Sequence, residues 1–430
     1  MAPARIAVVC GDRVGVLMAG PAIRAVELAR ALEAAGHRVV LAAPAGSDTS
    51  AAAIAETATW SSSDDLRAVV ADVEIVVIFA PVLAQNMWLA STGCLLVVDA
   101  YDPGLLETLE SRRGQPVNAQ RDWITDADSQ MLAPMAVADV VIVANDRQRH
   151  FVLGLLAAAS RLGSRTLAED PQLKRLVITV PFGMPSAPPA VSSSPLRQPS
   201  GPFDDDAFIA LWGGGLYPWL DPVALVEALA LTTDTQIVAV FLAGVHPTPA
   251  VGEMPLVDVA KHRARELGLL GTRVHFVEHW VPYADRGDWL CSADVGVSLH
   301  HLHVETELSY RTRMLDYLWS GIPIVCTSGD VLAAEVAALD LGWVVAPGDV
   351  TGIAAALDAA SAQSPKESDA RRARMAATSA GRTWDVVTLP LVEVCADRQL
   401  APDRRNSIAS PRGPMKALNY LKRLARAARR

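Results

Sequence analysis

The sequence predicts two doubly wound α/β domains in tandem, facing each other across a cleft. Three observations carry that reading. Short apolar runs alternate with amphipathic helical stretches twice over, a Pro- and Ser-rich stretch separates the two series, and 430 residues at 51% hydrophobic composition exceed what a single core buries. In such sheets ligands sit beyond the carboxyl ends of the strands, so the strand-to-helix loops are where function is sought.

The first series, residues 1–182, opens with the strand "RIAVVC" and the helix "PAIRAVELARALEAAG" and continues through "HRVVLAAP", "VEIVVIFA", "CLLVVDA", "ADVVIVAN" and "RLVITVPFG". Its first loop holds Gly11, Gly15 and Gly20 ahead of a helix opened by Pro21. The spacing is not GxGxxG. Glycine still permits close backbone approach there, and a helix start offers free N–H groups to an anion or a sugar hydroxyl. After "CLLVVD" comes "AYDPGLLE", which places Asp99, Asp102 and Glu107 near a strand end. Carboxylates in that position bind substrate hydroxyls, while Asp102 before Pro103 reads equally well as a turn and helix start.

Residues 183–202 are the linker, too poor in apolar surface to hold a fold of their own. The second series, residues 203–382, runs through "AFIALWGGG", "QIVAVFLAG", "RVHFVEH", "ADVGVSL", "IPIVCT" and "GWVVAP". Three consecutive glycines between a strand and a helix leave the backbone at Gly214 and Gly215 open to a diphosphate. Trp280 and Tyr283, in the loop after the third strand, either face a base or cap the sheet edge. His300, His301, His303 and Glu305 lack the i,i+4 spacing of a zinc helix and any cysteine partner, so a hydrogen-bonding or polar-rim role is expected of them and no metal.

The stretch "ETELSYRTRMLDYLWSGIPIVCT" puts Arg311, Arg313 and Asp316 into a helix that feeds a core strand. Desolvating an ionised group costs several kcal/mol or so unless something pairs with it. Either the pairs are internal, Glu307 with Arg311 and Arg313 with Asp316 at helical spacing, or the charges serve a ligand.

Charge and cysteine usage bound the partners. A net charge of −9 argues against a nucleic-acid binder. Five cysteines lie far apart with no CxxC pair, as expected of reduced core residues in the cytoplasm. No basic and apolar leader and no membrane-spanning run is found. Residues 383–400 are apolar with no strand left to serve, and we expect them to cross back onto the first domain. Residues 401–430 are strongly basic, and 415–430 place Ala417, Leu418, Leu421, Leu424, Ala425 and Ala428 on one helical face. Such a helix is expected to lie on the anionic inner face of the cell membrane, making the protein cytoplasmic and peripherally membrane-associated.

Taken together, the tandem domains, the first glycine loop, "WGGG" and "RTRMLDYLWSGIPIV" resemble the retaining GT-B glycosyltransferases of family 4, with their two Rossmann-like domains. "DYLWSGIPI" occupies the place of that family's E-A-x-A-x-G-x-P-V phrase, with Asp316 for its glutamate and Gly321 and Pro323 retained. "MAGPAIRAVELARAL", "DAYDPGLLE" and "NDRQRHFVLGLLAAASR" resemble a bacterial subgroup. The resemblance implies transfer of a sugar from a nucleotide-diphosphate sugar to a glycan or lipid-linked acceptor, with retention, in cell-surface polysaccharide or glycolipid synthesis and without a metal cofactor. It implies Glu307, Arg311 and Asp102 as the catalytic residues, with Glu307 on the sugar hydroxyls and Asp102 facing the sugar and acceptor, Gly214, Gly215, Arg311 and Arg313 at the diphosphate, Asp316 at the ribose, Tyr283 at the donor, and Gly20 and Asp99 on the acceptor and sugar side. Two departures stand out. The family's two acids are separated by seven intervening residues, but on that spacing the partner of Asp316 is Leu308, one place from Glu307, and the Arg and Lys that commonly follow the second-domain glycines are replaced by Tyr217, Pro218 and Trp219. A nucleotide-sugar 2-epimerase of the same fold and a non-catalytic nucleotide-sugar-binding subunit are the alternatives.

Overall fold

The computed structural model describes residues 3–249 and 254–404. The first sheet contains β1 (Arg5–Val9), β2 (Arg38–Pro44), β3 (Glu56–Trp60), β4 (Ile75–Phe79), β5 (Leu95–Asp99), β6 (Val140–Val143) and β7 (Val177–Thr179). All pairings are parallel, in the order β3-β2-β1-β4-β5-β6-β7. Six of these strands are the apolar runs read from the sequence. β3, "ETATW", was not among them, because Glu56, Thr57 and Thr59 interrupt it and leave no apolar run to mark it.

The second sheet contains β8 (Phe208–Trp212), β9 (Ile237–Leu242), β10 (Val274–Val277), β11 (Val295–Ser298), β12 (Ile324–Thr327) and β13 (Gly342–Val345), in the order β10-β9-β8-β11-β12-β13 and again parallel. Strand order reverses at β1 in one sheet and at β8 in the other. The loops leaving these two strands, one ending at Gly20 and the other starting at Gly213, therefore open at the crevices where doubly wound sheets bind ligands.

Two crossings of the chain join the domains side by side. Met184 and Thr383 form a parallel bridge, and the Phe182 and Trp384 rings meet at 4.8 Å. Gly183 is required here, since a Cβ would land 2.7 Å from the Trp384 ring. The Trp384–Val387 helix then packs on the Gly20–Ala34 helix, and the Leu389–Asp397 helix on β7. The linker is pinned rather than loose: Ser192 and Ser193 donate to Asp288, and Arg197 pairs with Asp294.

Arg404, one of the basic residues of the 401–430 stretch expected to face a membrane, is committed elsewhere. Its guanidinium is buried at 2.6 Å from Asp139, and the Ala401 N–H donates to the same carboxylate at 2.8 Å. This cation closes the bottom of the first domain and is not available to a membrane. The predicted amphipathic segment, residues 415–430, lies outside the described residues. Among the described residues no helix is long and apolar enough to cross a membrane.

Candidate functional site

Two connected cavities fill the cleft. The smaller, about 190 Å³, lies between the Gly20 helix start and the glycine loop of the second domain and is lined by Gly213, Gly214, Gly215, Trp280, Tyr283, Arg286, Arg313 and Asp316 among others. The larger, about 840 Å³, extends over the first domain and is lined by Asp12, Asp102, Glu107, Trp123, Trp219 and Arg311 among others. Gly20, Tyr217, Thr312 and Arg313 border both.

The glycine loop is held by a tyrosine. Tyr317, fully buried, has its hydroxyl 2.8 Å from the Gly213 N–H and within 3.1 Å of the Leu211 and Val297 carbonyls, tying β8 to β11. Its ring fits because residue 296 of β11 is glycine; any Cβ there would collide with it. Gly214 adopts φ +96°, which an L side chain rarely tolerates, and a Cβ on Gly215 would meet the Tyr217 ring at 2.9 Å. The loop therefore presents bare backbone to the cavity.

Two helix starts point at the same region, and neither has a side-chain cap. The Gly20–Ala34 helix begins with Pro at its first turn, and the Thr312–Ser320 helix follows Arg311. Uncapped N–H groups and the helix dipole favour an anion. Arg313 adds a cation: one nitrogen donates to the Gly215 carbonyl at 2.8 Å, the guanidinium lies over the Trp212 ring at 4.9 Å, and the other terminal nitrogen is buried without a partner. Burial, and after it the charge of Arg311, pull its pKa down.

Arg311 does not share that duty. Its two terminal nitrogens grip both oxygens of Glu305 at 3.0 and 2.7 Å; the arginine is 7% exposed and the glutamate fully buried. The expected Glu307–Arg311 and Arg313–Asp316 pairs are both absent. A helix over Val304–Leu308 ends at Ser309, whose extended backbone interrupts the helical path before Thr312, so i,i+4 spacing does not apply across it. Glu307 is exposed and lines neither cavity, which corrects its placement at the sugar; its carbonyl accepts from Arg147 at 3.3 Å. Asp316 lies in the smaller cavity and pairs with Arg286 at 3.2 Å, and Arg286 is sandwiched between Tyr283 at 3.8 Å and Trp319 at 4.4 Å.

On the acceptor side Asp99 is also corrected. It is clamped by Arg24 at 2.7 and 3.1 Å, and Arg24 continues to the Val180 and Pro181 carbonyls. This buried knot fixes the Gly20 helix against β5 and the crossover; it lines neither large cavity. Asp102 does face the larger one. Its carboxyl hydrogen-bonds with that of Glu107, on the Gly104–Ser111 helix; burial and the charges of Glu305, Asp99 and Asp12 push the Asp102 pKa up although the Glu107 hydrogen bond lowers it, and burial with repulsion from Asp102 and Glu305 pushes that of Glu107 up further. The histidines have structural partners: His303 caps the Val304–Leu308 helix and meets the Trp219 carbonyl at 3.1 Å, and His300 lies 3.5 Å from Asp330.

The domains touch on both flanks of the cleft. Trp280 Nε1 donates to the Met18 carbonyl at 3.1 Å and the Tyr283 N–H to the Val16 carbonyl at 3.1 Å; opposite, Gln148 donates to the Leu308 carbonyl at 2.8 Å and Arg147 to that of Gly329 at 2.6 Å. Sequence reasoning missed Arg286, Gln148 and the Glu305–Arg311 pair. Arg286 had a readable signal, as a cation in the loop that carries Tyr283; the other two depend on contacts distant in the chain.

No protein-family model and no curated protein matches the chain. Among solved structures it is similar to a sucrose-phosphate synthase from Thermosynechococcus elongatus, at 17% identity over 92% of this chain and 98% of the other, with a TM-score of 0.66. HepE from Anabaena, in complex with UDP and glucose, aligns at 16% identity over 92% and 100% of the two chains with a TM-score of 0.63. A UDP-forming trehalose-phosphate synthase from Burkholderia xenovorans aligns at 14% over 92% and 99%, TM-score 0.63. The fold is GT-B. The GT-B cleft of this chain thus has a cationic, glycine-lined half under the second domain and a wider, carboxylate-bearing half over the first.

Proposed function

We propose that this protein is a glycosyltransferase that takes a sugar from a nucleotide-diphosphate sugar and passes it, with retention at the anomeric carbon, to a glycan or lipid-linked acceptor in bacterial cell-surface polysaccharide or glycolipid synthesis. One observation carries the reading: bare glycine backbone, two uncapped helix starts and the half-satisfied Arg313 converge on one cavity. That is a site for a diphosphate. HepE, a neighbour in fold, is described in complex with UDP-glucose, which makes a uridine nucleotide the first donor to try.

In this reading the bond between the anomeric carbon and the β-phosphate oxygen breaks, its electron pair going to the phosphate. The acceptor oxygen forms the new bond on the same face and its proton passes to the departing phosphate. Fixed N–H groups and Arg313 stabilise that charge as it develops, which is where electrostatic catalysis acts. Asp316 and Tyr283 serve the nucleoside, and the Asp102 side of the cleft receives the acceptor. We place the leaving charge on groups of the chain and invoke no metal. Retention rests on the likeness of the phrase around Asp316 to retaining enzymes.

Incubation with UDP-glucose and a panel of other nucleotide sugars should give acceptor-dependent nucleotide release, with the product's anomeric configuration read by NMR. Epimerised donor without release would mean the 2-epimerase, and binding without turnover the non-catalytic subunit. Membrane contact through residues 415–430 belongs to the same proposal: full-length protein should sediment with anionic vesicles at low salt, and a chain ending at Arg404 should not.

A further inference from the structure

The acceptor itself is constrained by the larger cavity, an inference that rests on the glycosyltransferase reading. We propose that this chamber selects an acceptor sugar unit carrying no anionic group, gripped through its hydroxyls by the Asp102–Glu107 carboxyl pair. Four carboxyl groups line it, those of Asp12, Asp102, Glu107 and Asp126. Three cations oppose them, and two are already committed. Arg311 is neutralised by Glu305, and Arg313 sits at the border with the donor cavity, held to the Gly215 carbonyl. Arg112 is left, with its guanidinium 4.0 Å over the Trp123 ring.

A phosphate or carboxylate on the acceptor would find one cation and several acids. Asp12, Asp102 and Glu107 already have their ionisation disfavoured by burial, and Asp102 and Glu107 also by neighbouring carboxylates such as Glu305, so a further negative charge meets an environment that resists the ones present. A sugar diol fits the same groups. Two carboxyls bridged by one proton still present several acceptor lone pairs at a single point, the complement of neighbouring hydroxyls that donate to them. Asp102 Oδ1 is buried without a hydrogen-bond partner. Exposed Trp123 and half-buried Trp219, the latter stacked on Tyr217 at 5.0 Å, supply aromatic walls of the kind that pack on a sugar's C–H face.

Saturation-transfer NMR on the full chain, with and without UDP, tests this using methyl α-glucoside, glucosamine, glucose 6-phosphate and glucuronate. Methyl glucoside and glucosamine should show transfer, with glucose 6-phosphate and glucuronate at least about tenfold weaker. In the Asp102→Asn, Glu107→Gln double variant, the ratio of glucose 6-phosphate to methyl glucoside binding should rise about tenfold. Equal binding of glucose 6-phosphate to the unmodified protein, an unchanged ratio in the variant, or no transfer to any sugar overturns the proposal. UDP binding, measured by calorimetry on the same samples, reports separately on the nucleotide-sugar reading.

Discussion

The two halves of the cleft solve opposite electrostatic problems. Under the second domain, charge comes from backbone N–H groups, helix starts and one partly satisfied arginine, Arg313, all suited to an anion. Over the first domain it comes from carboxyls whose ionisation is held back, suited to hydroxyls. Between them stands the buried Glu305–Arg311 pair, which serves neither half as a free charge. Two arginines separated by one residue, Arg311 and Arg313, thus have different duties, and the contrast can be broken by mutation.

The largest effect is expected at the divider. Glu305→Ala leaves Arg311 as an uncompensated buried charge and should destabilise the fold by about 3–5 kcal/mol in denaturant titration. Replacing both members, Glu305→Leu with Arg311→Met, should recover most of that loss. If the single variant is as stable as the parent, the pair is not the strut its geometry indicates.

Arg313→Ala should do the reverse. Removing a cation that makes one backbone hydrogen bond and otherwise faces the cavity leaves stability nearly intact. It should weaken UDP binding by about 1.5–3 kcal/mol, the range for hydrogen bonds to charged groups, or roughly 10–100-fold in Kd. Calorimetry decides it. A variant that unfolds but binds normally while folded would return Arg313 to a structural role.

Those two arginines also show where the sequence stopped being legible. Twelve of the thirteen strands were readable as apolar runs, most of them because buried parallel strands are hydrophobic on both faces, and β3 was lost because its threonines and glutamate break any such run. The glycine loop was readable because consecutive glycines have few other uses. The pairing of Arg311 was not, since i,i+4 logic assumes an unbroken helix and the chain turns at Ser309, bringing together residues six apart. Asp99 and Glu307 were misplaced for a related reason. Position near a strand or helix end says where the backbone goes, while the Arg24 clamp and the exposure of Glu307 are set by segments far away in sequence.

The acid pair gives a pH test of the other half. The folded-state pKa of Asp102 is pushed up to about 6 from an ordinary value of 3.8, so between those values the folded chain holds more protons than the unfolded one. Stability from this group is then greatest near pH 4 and falls as pH rises toward 6. Asp102→Asn removes the penalty: the variant should be more heat-stable than the parent above pH 6, with the gap closing toward pH 4. A variant less stable at pH 7.5 would mean that the ionised pair is held by groups other than those seen.

The smallest effect concerns the clasp that keeps both halves on one cleft. Arg147, exposed at the start of the Asp146–Ala158 helix, reaches across to the Gly329 carbonyl at 2.6 Å and the Glu307 carbonyl at 3.3 Å. Its neighbour Gln148 is buried and also serves its own domain through the Tyr101 carbonyl, so its removal would confound closure with folding. Arg147→Ala removes only the crossing bonds. A net hydrogen bond contributes about 0.5–1.5 kcal/mol, so the closed arrangement should lose roughly two- to tenfold in population relative to open ones. Any ligand that needs both domains would then bind weaker by up to that factor and leave faster, while one held by the second domain alone would not respond. Comparing UDP with a full nucleotide sugar by stopped-flow fluorescence separates the two. A larger loss for the nucleotide sugar than for UDP places the sugar against the first domain, and equal losses mean that the nucleotide alone spans the cleft.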